Sequence, residues 1–259
     1  MEELITVAKA VQTDQVAGFA VPLSRAVYAA PFVEWLMPTL WGLGGEFLNA
    51  DETAAFNGEA GVRVYQWLYD LVHKHKVMPS AAVSWSVDNG DDMFKSGKLA
   101  MLPNGSMRVI NARRAQGIGK NLQTAPLIAD RTDRPCSTLV AGYTYTMTKD
   151  SKEKEAAWHF IEHMISPEAE VINAKIAGEM PTRKSTYKDP WFETDDAADM
   201  RQWMSYLANY GRSIRTPAKF MTLSDMLAVA VQDVIVNHVP PKRALDDVAK
   251  KWNAEIGKA

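Results

Sequence analysis

From the first residues, apolar side chains recur at helical spacing: Leu4, Val7, Ala8 and Val11 predict that the chain begins inside an amphipathic helix. The run GFAVPL at 18–23 is apolar and broken by proline, as in a short buried strand. A helix is predicted from about 30 to 43, closed by Gly44 and Gly45. Asn57 then stands as the cap of a helix whose Val64, Leu68, Leu71 and Val72 share one face, ending near Lys76. Residues 91–95 predict a short helix ended by Gly97, Leu99–Leu102 a strand, and Met107–Gln116 a return to helical spacing. TLVAGYTYTM at 138–147 predicts another strand, with Gly142 allowing close backbone approach. Helices follow over about 153–165 and 167–177, the second opened by Ser166-Pro167 and closed by Gly178. Three more are predicted: DDAADMRQWMSYLANY, Leu223–Asn237, and a last one with Leu245, Val248, Ala249, Trp252 and Ile256 on one face.

In the stretch DDMFKSGKLAMLPNGSM, strand, tight turn and helix meet at Pro103, Asn104, Gly105 and Ser106. In an open α/β sheet the carboxyl ends of strands are where ligands sit, and the next helix N-terminus offers unpaired N–H donors. The corner is therefore a candidate binding element; the plain alternative is a strand-to-helix connection.

With 259 residues the chain has room for one large or two medium lobes. Its 29 basic and 31 acidic residues give a net charge of -2, which offers no pull on nucleic acid or anionic lipid. Eight Trp, eight Tyr and thirteen Met supply flat, adaptable apolar surface suited to cores and to stacking on sugar rings. One cysteine, Cys136, excludes an internal disulfide and a cysteine zinc cluster. No run of eighteen apolar residues predicts a membrane span, and MEELITVAKA lacks the basic start and apolar core of a signal peptide. As they stand, these residues predict a cytoplasmic chain.

HFIEH at 159–163 matches H-x-x-E-H, which would set His159, Glu162 and His163 for a zinc hydrolase. An amphipathic helix with two His and a Glu also matches by accident, and no segment declares a third ligand. NGSM lacks the glycines of a nucleophile elbow, and QGIGKN lacks the first glycine and the Ser/Thr of a phosphate loop. No metal and no cofactor are expected. Arg25, Arg183 and Arg215 lie in loops where a guanidinium can fork onto hydroxyls or carboxylates.

Five segments in one order resemble the extracellular solute-binding proteins of carbohydrate ABC transporters, the family that includes maltose-binding protein. They are FKSGKLAMLPNGSM, GIGKNLQTAPLIA, VAGYTYTMTKDSKEKEAAWHFIEHMISPEAE, GEMPTRKSTY and RALDDVAKKWNAEI, which are spread in that order from residue 94 to residue 256. The resemblance implies an α/β fold of the periplasmic-binding-protein type II, with two lobes closing over a sugar or oligosaccharide and presenting it to membrane permease subunits. It implies a binding protein, not an enzyme, periplasmic or extracellular when full length. By position it assigns 1–135 and 195–259 to the second lobe and 136–194 to part of the first, the earlier part of which is not among these residues. The ligand-facing positions it implies are Tyr28, Trp35, Asn104, Gly105, Ser106, Met107, where the family often has Trp, Gly142, Tyr143, Arg183 and Arg215. With so much of the first lobe absent, strand 138–147 and its helices are expected to expose apolar surface and a sheet edge, and either to pair with another chain, as in a swapped dimer, or to be less ordered than the remainder.

Overall fold

The computed structural model describes residues 1–25, 30–130, 137–213 and 216–257. Tyr28, Cys136 and Arg215 therefore lie outside the described residues. Ten α-helices are found among those described: α1 Glu2–Val11, α2 Ala30–Gly42, α3 Glu59–His73, α4 Val87–Lys95, α5 Ser106–Arg114, α6 Lys154–Met164, α7 Pro167–Ala177, α8 Ala198–Tyr210, α9 Phe220–Asn237 and α10 Pro241–Glu255.

Local signals account for most of these ends. Ser86 accepts from the Asn89 N–H while the Asn89 side chain accepts from the Ser86 N–H, a capping box that opens α4. Ser166 accepts from the Ala169 N–H with Pro167 next in line, and Gly178 at φ 72 closes α7 in the left-handed region that a side chain would oppose. At α3 the expectation fails: the cap is Gly58, and the Asn57 amide instead donates to Asp246 of α10 at 2.9 Å. A tertiary partner has outcompeted the local one.

The main core is helical. α9 packs against α2, α3 and α10, and its Leu223, Leu227, Val231 and Val234 are fully buried with Tyr65, Leu68 and Leu71 of α3 and Trp252 of α10. By length and composition α9 would suffice to cross a membrane, but its buried face and its helical neighbours make it the centre of this core. The Tyr65 hydroxyl donates to the Leu227 carbonyl at 2.9 Å, so the buried ring is satisfied. Burial raises its pKa well above the ordinary value.

The predicted strands 18–23 and 99–102 are neighbours, the first largely buried and the second buried at Leu99, held by a few backbone bonds rather than long ladders. Ala17 donates to Lys98, Ala100 to Ala17 and Ala20 to Met101, with a single parallel bridge at Ala17–Leu99. The 138–147 strand shrinks to β1, Thr138–Leu139, parallel to β2, Gly211–Arg212. Beyond Val140 the segment loses its partners: among the described residues, no backbone hydrogen bond engages 141–147. Its side chains stand in the open, Tyr143 at 77% exposure, and Trp158 and Phe160 of α6 are exposed too, at 51% and 59%. The apolar exposure expected for this region is thus present, while the strand itself stops at Leu139.

A second, smaller core joins Val171 and Ala174 of α7 to Phe192, Ala197 and Met200. Beside it Glu170, only 8% exposed, accepts from the Thr182 N–H at 3.1 Å and from the Thr182 and Thr186 hydroxyls at 2.5 Å. Burial pushes this carboxyl up, but the donors of Thr182, Thr186 and Arg183 together outweigh it, and the net shift is downward. A carboxyl held low stabilises the fold above the ordinary glutamate range and loses that contribution as pH falls through its folded value. Glu170→Gln is expected to cost about 1–3 kcal/mol at pH 6. Its deficit against the parent protein in urea unfolding should shrink at pH 3; an equal deficit at both pH values would show that the charge is not what matters.

Candidate functional site

The corner at Pro103–Gly105 is assembled by polar bonds among neighbours. The Asn104 carbonyl oxygen Oδ1 accepts from the Gly105 N–H at 2.9 Å, and its amide donates to Asp91 of α4. The other Asp91 oxygen accepts from Arg108 at 2.6 Å, and the same Arg108 nitrogen reaches Asp88 at 2.6 Å. α4, the corner and the first turn of α5 are thereby one unit. The hydrogen bond from Arg108, backed by its charge, lowers the Asp88 pKa.

α5 has two working faces. Arg108, Val109 and Ala112 line a cavity behind the corner, together with Asn104. On the other side Ile110 and Met107 meet Gly178 at the end of α7: a Cβ on Gly178 would lie 3.2 Å from Ile110 Cγ2 and 3.4 Å from Met107 Cα. Farther along, Arg113 forks onto Asp199 of α8 with two bonds of 2.7 Å, and donates to the Gly119 and Leu122 carbonyls at 3.1 and 2.6 Å. Gln202 of α8 adds a bond of 3.2 Å to the Thr124 carbonyl and accepts from the Thr124 hydroxyl at 2.6 Å. These bonds bring Trp203, Tyr206 and Tyr210 to the cavity, where they form a strip with centroid spacings of 6.2 and 6.5 Å.

The structure brings together some of the residues expected at a site and separates others. Asn104, Gly105, Ser106 and Met107 are contiguous, and the Tyr143 hydroxyl reaches the Met107 sulfur at 3.9 Å. Gly105 and Gly142 face open space, with nothing within 4 Å of a Cβ added to either. Trp35 is elsewhere: it is 6% exposed in the main core, stacked on Trp67 at 6.3 Å and 16° and on Phe32 at 6.2 Å, so its faces are occupied by protein. Arg183 donates to the Ile165 carbonyl at 2.7 Å and ties its loop to the end of α6. His159 and Glu162 contact each other at 3.2 Å on the exposed side of α6, and no cluster of three potential metal ligands occurs among the described residues.

Sequence reading missed the α8 strip and the Arg113 fork. The aromatic spacing of three and four in QWMSYLANY was the available signal, but nothing local told which surface it would face.

The fold is that of the periplasmic-binding-protein type II proteins, on whose solved structures essentially all of this chain superposes. The chain belongs to the bacterial extracellular solute-binding protein family, whose sequence profile matches residues 1–200. That family consists of binding proteins, not enzymes. A Sinorhizobium fredii protein described as a probable amino-acid ABC transporter periplasmic-binding protein is 26% identical over 67% of this chain and 38% of its own length. Among solved structures, maltose-bound MalE3 of T. maritima superposes with a TM-score of 0.80 at 22% identity, over 98% of this chain and 64% of the other. Maltotriose-bound MalE of Bdellovibrio bacteriovorus gives 0.79 at 19%, over 99% and 66%. At these identities the likeness is one of fold. The chain spans less than two-fifths of the S. fredii relative and about two-thirds of the two structures.

The Arg113 fork is the corner's principal tie to α8. Arg113→Gln should lower stability by about 2–3 kcal/mol, the range for a charged hydrogen-bond partner removed from a half-buried site, read as an earlier urea midpoint. If Asp199→Asn in the Arg113→Gln background costs as much as it does alone, the two side chains are not coupled and the assignment is wrong.

Proposed function

We propose that this chain is the ligand-holding part of the substrate-binding component of an ABC importer, taking a sugar or oligosaccharide between two lobes and delivering it to permease subunits. The observation that carries the reading is the likeness in fold to sugar-bound proteins over essentially all of this chain. In the proposed division, residues 1–135 and 195–259 form one lobe and 136–194 the remaining part of the other. The two separate hydrophobic cores support it, with α8 entering the smaller core through Met200. The corner at Asn104–Met107 and the exposed ring of Tyr143 would form one wall of the cleft. Hydroxyls would meet the helix-start N–H groups and the Ser106 hydroxyl, and the ring would pack on sugar C–H faces. A periplasmic or extracellular working place accompanies the reading.

Because the chain spans 64% of the length of the maltose-bound neighbour, its own affinity should be weak. A thermal-shift panel of mono- and oligosaccharides at millimolar concentration is expected to find at least one stabilising sugar. Tyr143→Ala, at an exposed position, should weaken that response about threefold to tenfold without changing the unliganded melting temperature. The S. fredii relative's description favours a second reading, an amino-acid ligand. Stabilisation by amino acids with none by sugars would replace the first reading with the second.

The open backbone of 141–147, its exposed Tyr143 and Tyr145, and the exposed Trp158 and Phe160 of α6 support pairing of this chain with a second copy, as a swapped dimer. Light scattering at micromolar concentration should give twice the chain mass, and Phe160→Lys should reduce it to one. A monomeric parent protein would overturn this pairing.

A further inference from the structure

The sequence carries three Asn-Gly pairs, at Asn57, Asn89 and Asn104. Asparagine is among the thermolabile side chains. A glycine after it adds to the lability, because without a Cβ the next backbone nitrogen approaches the side-chain carbonyl carbon unhindered. The reaction begins with loss of that nitrogen's proton, so a pair is protected where a backbone carbonyl holds the proton and the fold must open locally to release it. In sequence the three pairs are equivalent; in the fold they are not.

Gly90 lies buried within α4. Its N–H donates to the Ser86 carbonyl at 3.1 Å, and a Cβ there would stand 2.8 Å from Pro22 Cγ. The Asn89 carbonyl oxygen is itself part of the capping box. At the second pair the Gly58 N–H donates to the Ala55 carbonyl at 3.2 Å, and the Asn57 amide is tied to Asp246. At the third, the Gly105 N–H donates to no backbone carbonyl among the described residues. Its acceptor is Oδ1 of Asn104 at 2.9 Å, which sets the nitrogen beside the side-chain carbonyl it would attack. Gly105 is exposed and nothing lies within 4 Å of a Cβ added to it, so base from solvent has access and a ring has room to close. The tie of the Asn104 amide to Asp91 does not distinguish this pair, since Asn57 has the same kind of tie to Asp246. The glycine N–H does.

We propose that Asn104 is a site of spontaneous deamidation in the folded protein, converting to isoaspartate and aspartate. Hydroxide removes the Gly105 amide proton, and the electron pair left on nitrogen forms a bond to Asn104 Cγ. The Cγ–Nδ2 bond breaks, its electron pair leaves on Nδ2, and a proton from water completes ammonia. Water then opens the five-membered imide. Breaking the bond from Gly105 N to Cγ gives aspartate; breaking the bond from Gly105 N to the Asn104 main-chain carbonyl carbon gives isoaspartate. Water is taken up, ammonia is released and nothing is oxidised. Either product puts a carboxylate where the amide now donates to Asp91, so a donor is replaced by a like charge and the tie between the corner and α4 is lost. The residue belongs to the wall proposed for the cleft, but neither this chemistry nor its test involves a ligand.

The full chain is incubated at mildly alkaline pH, folded and in urea, and then cut with trypsin, which places the three pairs in separate peptides, 26–63, 77–95 and 99–108. Mass spectrometry reads the conversion of amide to acid in each, and each folded rate is divided by the rate of the same pair in urea. The relative rate at Asn104 should exceed those at Asn57 and Asn89 at least about tenfold, the effect of one glycine hydrogen bond, with isoaspartate in excess over aspartate. Gly105→Ala, at a φ of -78 that any residue adopts, should keep the melting transition and slow the reaction severalfold. A folded chain in which Asn104 reacts no faster than the other two, or gives aspartate without isoaspartate, would overturn the proposal. So would an unchanged rate in folded Gly105→Ala. The comparison among the three pairs is made within the parent chain and stands even if that variant does not fold.

Discussion

The guanidinium of Arg113 is the constraint on which the arrangement of the corner depends. Its planar fork saturates Asp199 with two parallel bonds, and its remaining donor takes the carbonyls of Gly119 and Leu122. One side chain thereby fixes the far end of α5, the loop after it and the first turn of α8. α8 in turn carries Met200 into the smaller core and sets its aromatic strip against the cavity. An arginine suits this position because a lysine, with one point of charge, would meet the carboxylate or the carbonyls but not all of them in plane.

The two cores differ in how fully their polar and apolar surfaces are met. Around α9 the helices close on one another, and the buried Tyr65 hydroxyl has its acceptor. Around β1 the chain runs out of partners, so that backbone donors and large apolar side chains face outward together. Backbone N–H and C=O groups bond wherever they can. The opposite condition holds at Glu170, a buried carboxylate that accepts from Thr182 and Thr186 and so ties down the loop carrying Arg183.

Much of the helical framework was legible residue by residue. Ser166-Pro167 and Gly178 bound α7 as local chemistry predicts, and the apolar face of α10 is buried at Leu245, Val248 and Trp252 as its spacing requires. Errors fell where two environments ask for the same residue. Asn57 is a good cap and an equally good partner for a carboxylate across the fold, and the carboxylate won. Trp35 offers the same flat ring to a sugar or to Trp67, and the fold chose Trp67. The alternating pattern of 138–147 marks extended backbone correctly, but pairing beyond Val140 requires a neighbour the pattern does not contain.

The amino-acid sequence alone therefore determined the helices, the Asn-Gly corner and the family, because capping, periodicity and motif order are matters of a few adjacent residues. Only the tertiary structure decided that Asn104 is bound to Asp91, that the α8 rings face the same cavity, and that Arg113 meets Asp199 across 86 positions of chain. The reason is physical: a side chain's nearest neighbours constrain its backbone angles, while its hydrogen-bond partner and the surface it buries are set by whichever distant segment the folded chain brings within a few ångströms.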